Sequence, residues 1–442
     1  MPPVWSLIGM AKRNFLSIWG LDDFQSRLRS KKVFTRELVI CNRPDVVREA
    51  FQANHAVLQR KSPQMRHALE PLLGDGLFIS DTETWAKRRK IVAPIIHGSR
   101  VKGFAPIMTD TIEEKCDEWT ALGDGAEIDA LAEMAHLTAE IICRTIFGRE
   151  LGKDYASEVV QGFSDYQRHI DQIDILSLLG LPEWLPRFRG RAIKKPVNRI
   201  MSVLDEIIDS YQAQKQKGEA SVIGGLLEAR DDDGNPLSRE AIRSEAAVIF
   251  MAGHETTANT LAWAWFLLSQ SKRCREKLQK ELDTVLAGRT PGFPDVAKLP
   301  YTKAVIEETL RLYPPVPILA REAMSDTTIG GKPIPKGSLV MVVPWLMHRN
   351  PVLWSQPDAF VPERFTDPKA KKPNKYGYVP FSIGPRICAG LQFGMTESIL
   401  SLAILAQKFD LRLKEGTDVQ PVARLTLRPG DNLPMTLHPR AS

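Results

Sequence analysis

Apolar residues recur with helical spacing over most of this chain, and that limits the fold to a mainly α class carrying small antiparallel β-sheets. Residues 82–145 are largely helical in period. A long helix is expected from about Ser238 to Gln270, and another from Tyr301 to Tyr313, stopped by Pro314 and Pro315. A last helix is expected from about Ala389 to Phe409. Strand signals are confined to both ends: residues 38–53 read as strand, Pro-started turn and helix, residues 327–343 as strands joined by hairpins, and two short strands close the chain. The stretch 176–197 reads as irregular connection, 231–237 as a loop, and 344–387 as an ordered irregular segment or a linker.

No segment reads as a membrane span. The uncharged tract from Thr256 to Ser271 has 16 residues and includes Asn259 and threonines, whereas a spanning helix needs roughly 20 predominantly apolar residues. The N-terminus is broken by Lys12 and Arg13, so it is not a signal peptide; it reads as an accessory helix packed on the body or a short amphipathic surface segment. The net charge of +6 over 442 residues is too small to argue for nucleic acid. Five widely spaced cysteines without a CxxC exclude a disulfide framework and a cysteine-rich zinc site, and favour a reducing compartment, the cytoplasm.

Several chemistries fail on spacing. His254-Glu255 is followed by Ala258 where a zinc-protease helix needs its second histidine. There is no GxSxG elbow, no GxGxxG fingerprint after Gly74 and no GxxxxGK[ST] phosphate loop. One cysteine is different. Phe381-Ser382-Ile383-Gly384-Pro385-Arg386-Ile387-Cys388-Ala389-Gly390 places Cys388 just before an apolar helix. A helix N-terminus favours a thiolate, Gly384 and Gly390 let backbone approach a flat object, and Arg386 offers a cation to a carboxylate. Such a loop suits a haem iron and its propionate. Cys41, Cys116, Cys143 and Cys274 read as buried structural residues.

The ten-residue string resembles the haem-binding loop of the cytochrome P-450 family, the haem-thiolate monooxygenases, at Phe381, Gly384, Arg386, Cys388 and Gly390. Four further motifs stand in that family's order. Ala252-Gly253-His254-Glu255-Thr256-Thr257 resembles the oxygen-binding groove, where Thr256 would hold dioxygen and Glu255 would relay protons. Ala252 and Thr256 share a helix face; His254 is about 200° from Ala252 and should face away. Gly253 beside Thr256 suggests a local opening of the helix. Glu308-Thr309-Leu310-Arg311 and Pro362-Glu363-Arg364-Phe365 resemble a buried structural cluster of Glu308, Arg311 and Arg364. Trp85 and Arg89, at i,i+4, match residues that bond a haem propionate in the family, as does Arg321.

The resemblance implies haem b with Cys388 as its metal ligand, buried between the oxygen-binding helix and the cysteine loop. Trp85, Arg89, Ala252, Arg321, Phe381, Gly384, Arg386 and Gly390 would surround it. The implied reaction inserts one oxygen atom of O2 into a C–H bond, with two electrons and with protons passed through Thr256 and Glu255. It implies a single domain over residues 1–442, with about 1–35 accessory. Cys388 lies 54 residues from the last residue, Ser442, which leaves no room for a fused reductase, so electrons would come from a separate ferredoxin or flavodoxin and its reductase. Lys369, Lys371, Lys372 and Lys375 precede the loop, and Lys87 and Arg88 join them as a candidate docking face. Candidate substrate walls are Leu77, Phe78, Val248, Ala252, Val316, Ile318, Leu425 and Leu427, which suit a lipid, terpenoid or aromatic molecule. Two alternatives keep the haem: a peroxide-using peroxygenase or isomerase, which usually lacks the Glu255-Thr256 pair, and a non-enzymatic haem sensor.

Overall fold

The computed structural model describes residues 14–148, 193–214, 221–370 and 373–440, with a few positions between 158 and 166. The first 13 residues, Lys371, Lys372 and most of the stretch 176–197 lie outside the described residues.

The principal helices are α1 (Pro63–Leu73), α2 (Thr82–Ile95), α3 (Gly98–Leu122), α4 (Ala130–Phe147), α5 (Lys194–Gln214), α6 (Arg239–Gln270), α7 (Lys272–Leu286), α8 (Pro300–Leu312) and α9 (Leu391–Lys408). Helix α6 begins where the sequence predicts. Ser238 caps it, its hydroxyl accepting from the Ala241 N–H at 3.1 Å, and satisfies a donor that the first turn leaves open. Most of its side chains are buried all round, so it is a central helix enclosed by others. Helix α4 packs so close to it that a Cβ on Gly253 would stand 2.8 Å from Ile142 Cδ1. That contact explains Gly253, and α6 is continuous through it; the expected local opening is not present. Helix α9 packs on α3, with Phe104 and Phe393 edge to face at 6.1 Å.

A five-stranded sheet runs in the order β1 (Leu28–Val33), β2 (Arg36–Cys41), β8 (Leu339–Val342), β5 (Leu319–Glu322), β3 (Arg60–Lys61). Its pairs are antiparallel except β2 with β8. The hairpin β6 (Thr327–Ile329) and β7 (Lys332–Ile334) stands apart from it. Near the chain's end, β12 (Pro434–Pro439) pairs with β4 (Glu127–Asp129) and β9 (Phe409–Leu413). β10 (Val422–Ala423) and β11 (Leu427–Arg428) form a two-stranded ribbon.

The irregular stretch 344–387 is tied down by one ion cluster. Glu308 and Arg311, both fully buried on α8, make a paired contact at 2.7 and 2.9 Å. Arg311 also donates to the carbonyls of His348, Pro357 and Ala359. Arg364 Nε reaches Glu308 at 3.1 Å, and the Val361 N–H donates to the same carboxylate. Every charge in this cluster meets an opposite charge or a backbone dipole. His348 extends the anchoring: its Nε2 accepts from the Val379 N–H, two residues before Phe381, and burial holds its pKa down to about 3. The expected cluster of Glu308, Arg311 and Arg364 is thus present, and it fixes the approach to the cysteine loop.

Candidate active site

A cavity of about 290 Å³ lies between α6 and the loop 380–390. Its lining includes nearly every residue singled out from the sequence: Trp85, Arg89, Ala252, Glu255, Thr256, Arg321, Phe381, Arg386, Cys388 and Gly390. Gly384 is close by but serves another contact. Its φ is +72°, and a Cβ there would stand 2.3 Å from the carbonyl oxygen of Phe51. The approach of the Phe51 backbone by itself requires a glycine here. Gly390 lies on the cavity wall, with nothing within 4 Å of where its Cβ would be.

The loop places Cys388 by a hydrogen bond from its own N–H to the Phe381 carbonyl at 2.9 Å, just ahead of α9. The thiol faces the cavity. Burial raises its pKa, while the Gly390 N–H and the charges of Arg89 and Lys61 act to lower it. The net direction is upward. A metal ion at the sulfur reverses this balance by displacing the proton. The other four cysteines are buried and unpaired, and burial raises the thiol pKa of Cys41 and Cys116 to about 12.

One edge of the cavity gathers cations. Arg321, on β5, is buried, donates to its neighbour's carbonyl, Ala320, and lies over the Phe51 ring at 5.1 Å. Arg386 donates to the Ser80 carbonyl and stacks on Trp85 at 4.6 Å. Arg89 follows Trp85 by one turn of α2. Lys61, on β3, is buried over the Phe78 ring at 4.2 Å. Among the described residues none of the four makes an ion pair with a carboxylate; the nearby Asp81 is taken by Arg60 and Arg66. Desolvation depresses all four, Arg321 to about 10 and Arg386 to about 9, with Lys61 held well below its usual range by burial and by both arginines. Burying so many uncompensated cations is costly. A dianion at this edge removes the cost, and a largely apolar ring bearing two carboxylates matches the rest of the lining. Lys61 and His55 were not singled out from sequence. His55 meets Trp85 edge to face at 5.5 Å, and its pKa is lowered by burial and then by Arg386 and Arg321.

On α6, Thr256 Oγ1 donates to the Ala252 carbonyl at 2.6 Å, and both face the cavity. Glu255 also lines it and is held by Arg428 of β11 at 2.6 Å, a partner the sequence did not suggest. His254 points the other way, stacked on Phe250 at 5.4 Å with burial lowering its pKa to about 4. It is not a cavity residue. Leu77, Phe78, Val248, Ala252, Val316, Ile318 and Leu425 form walls as expected. Leu427 does not: it is buried with Leu16 and Ala423 under the ribbon. Arg88 is not free for docking, because it contacts Asp75 at 3.1 Å and approaches Glu245.

The sequence model of the cytochrome P450 family matches residues 4–433. The chain belongs to the cytochrome P450 family. It is 33% identical over 395 residues to cyclooctatin synthase of Streptomyces melanosporofaciens, covering 88% of this chain and 83% of that protein. It is 28% identical over 428 residues to the ultra-long-chain fatty acid omega-hydroxylase of Homo sapiens, covering 91% and 79%. The crystal structure of the cytochrome P450DA haem domain superposes with a TM-score of 0.82 at 27% identity, covering 94% of this chain and 90% of that one. As a P450 the chain is an oxidoreductase of the monooxygenase class, and its fold implies a haem-thiolate cofactor. P450s generally draw electrons from redox partners and act on apolar substrates. Among the described residues no helix is long and apolar enough to cross a membrane.

Proposed function

We propose that this P450 hydroxylates a small apolar, lipid-like or terpenoid molecule at a C–H bond, using O2 and electrons from a separate ferredoxin or flavodoxin, as one catalytic unit in the cytoplasm. The observation that carries this reading is the cavity itself: a cysteine at one wall, the Ala252–Thr256 face at another, uncompensated cations at one edge and apolar side chains elsewhere. The relative named for omega-hydroxylation of fatty acids supports a long apolar substrate. The intact Glu255–Thr256 pair supports O2 over peroxide as the oxidant.

Cys388 would ligate the iron of haem b through its sulfur. Lys61, Arg89, Arg321, Arg386 and the Trp85 indole would hold the two propionates, and Phe381 and Gly390 would border the ring. When bound, the haem supplies O2 activation at its iron. The chain's own work is positional and protonic. The apolar walls exclude water and leave a C–H-rich substrate as the favoured occupant. Thr256 Oγ1 can turn from the Ala252 carbonyl and pass its proton toward the cavity. Glu255, once it has taken a proton from solvent and loosened its contact with Arg428, can return that proton to the hydroxyl. Lys375, which lies over the Tyr376 ring at 4.9 Å, is a described cation on the approach to the cysteine loop and supports a salt-sensitive docking face.

The test is the spectrum of reduced protein with carbon monoxide. A Soret band at the long wavelength of thiolate-ligated iron is expected, and lost in Cys388→Ala. A band where imidazole-ligated haem absorbs, or a thiolate spectrum surviving in Cys388→Ala, overturns the assignment.

A further inference from the structure

Residues 74–80 form a tight turn that carries two cavity walls, Leu77 and Phe78. The turn is pressed onto α6. A Cβ on Gly76 would stand 2.7 Å from Val248 Cγ2, and one on Gly74, whose φ is +53°, the same distance from Ser244 Oγ. The chemical tie is a carboxylate. Glu245, on α6 and completely buried, accepts the Leu77 N–H on both oxygens, at 3.0 and 3.2 Å. Arg88 Nε stands 3.6 Å from the same carboxylate, and Arg88 Nη2 contacts both oxygens of Asp75 at 3.1 Å. At the far end of the turn the Ser80 carbonyl accepts from Arg386. The wall thus hangs between the central helix and the cation edge.

We infer that Glu245 is a positioning residue for the substrate wall, setting through its protonation whether the Leu77–Phe78 turn stays closed over the cavity. The inference rests on the reading of this cavity as the substrate site.

The charged groups acting on Glu245 are Arg88, which favours the carboxylate, and Asp75, which opposes it. Burial is the largest influence and pushes its pKa up to about 7. Opening the turn would hydrate the carboxyl and return it to the ordinary value of 4.5. The open form therefore binds fewer protons, so raising the pH between 4.5 and about 7 favours opening, and above about 7 the balance is level. Closure is the acid-side state, because a neutral carboxyl is the cheaper one to bury. It still offers its carbonyl oxygen to the Leu77 N–H.

The experiment uses the haem-loaded protein and hydrogen exchange of the 74–80 segment, corrected for intrinsic rates. In the wild type, the opening constant should rise by up to about tenfold per pH unit between pH 5 and 7, then flatten. Glu245→Gln should abolish the slope while keeping protection, since an amide carbonyl still accepts from Leu77. Glu245→Ala should lose protection at every pH and weaken binding of the probe 1-phenylimidazole, with the carbon monoxide spectrum unchanged. Equal slopes in wild type and Glu245→Gln, or unaltered protection in Glu245→Ala, would overturn the inference. Failure of the wild type to bind haem or the probe, with the slope intact, would instead count against the substrate-site reading alone.

Discussion

Among the described residues, two of the groups of buried cations are built on opposite rules. Around Glu308, the guanidinium of Arg311 meets a carboxylate and three carbonyls, and Arg364 shares the same carboxylate. At the cavity edge, Lys61, Arg321 and Arg386 have no carboxylate partner among the described residues; burial depresses all three, and Arg321 further depresses Lys61 and Arg386. Both groups resist solvent, yet only the first holds a carboxylate among the described residues. A closed cluster stiffens the fold; an open one stores an electrostatic cost that an incoming anion relieves. Burial of charge is thus not itself a mark of a binding site. The missing counter-charge is.

The largest effect should come from breaking the closed cluster. Glu308→Ala leaves Arg311 buried without its partner and is expected to cost about 3–5 kcal/mol, read as a lowered denaturant midpoint with or without haem. The open edge should invert this sign. Arg321→Met is expected to stabilise haem-free protein by about 1–3 kcal/mol, while loosening haem by about tenfold or more through loss of a charge-assisted contact. Urea unfolding of the two forms and haem transfer to an acceptor protein would check both halves. Destabilisation of the haem-free form would show that the edge is neutralised after all.

Lys61 sharpens the contrast further. Its folded value is depressed, so the unfolded chain holds the extra proton, and stability of haem-free protein should rise with pH between the folded value and 10.5. The slope is at most about 1.4 kcal/mol per pH unit, and Lys61→Met should remove it when unfolding midpoints are compared from pH 7 to 10. The smallest change is expected outside both groups. Thr256→Ala should shift stability within about 0.5 kcal/mol, because an exposed hydroxyl bonding its own helix carbonyl adds little. It should nonetheless divert reductant to peroxide, measured as product formed per electron pair consumed. Full coupling would remove Thr256 from the proton route.

Local signals carried much of this into the sequence. Ser238 before a long helical period marks the start of α6, and the run from Phe381 to Gly390 marks the cysteine loop, because each is decided by neighbours within a few residues. What stayed illegible depends on distant partners. Lys61 and His55 join the cation edge from a strand and a turn with no pattern of their own. Glu255 meets Arg428 across 173 positions, and Arg88 is captured by Asp75 from another element. A two-residue strand leaves alternation undetermined in sequence, and the ribbon turns Leu427 toward Leu16 and away from the cavity. Gly253 stands out within its helix, but the side chain that requires it, Ile142, belongs to a helix more than a hundred residues earlier.

The two glycines of the cysteine loop also answer to different constraints. Gly384 is pinned by the Phe51 carbonyl, a constraint that would persist in any descendant keeping this architecture, whatever chemistry it had lost. Gly390 answers to no protein atom within 4 Å. A side chain at 390 would thus be tolerated by the polypeptide's own packing, whereas one at 384 would collide with backbone, whatever the loop holds.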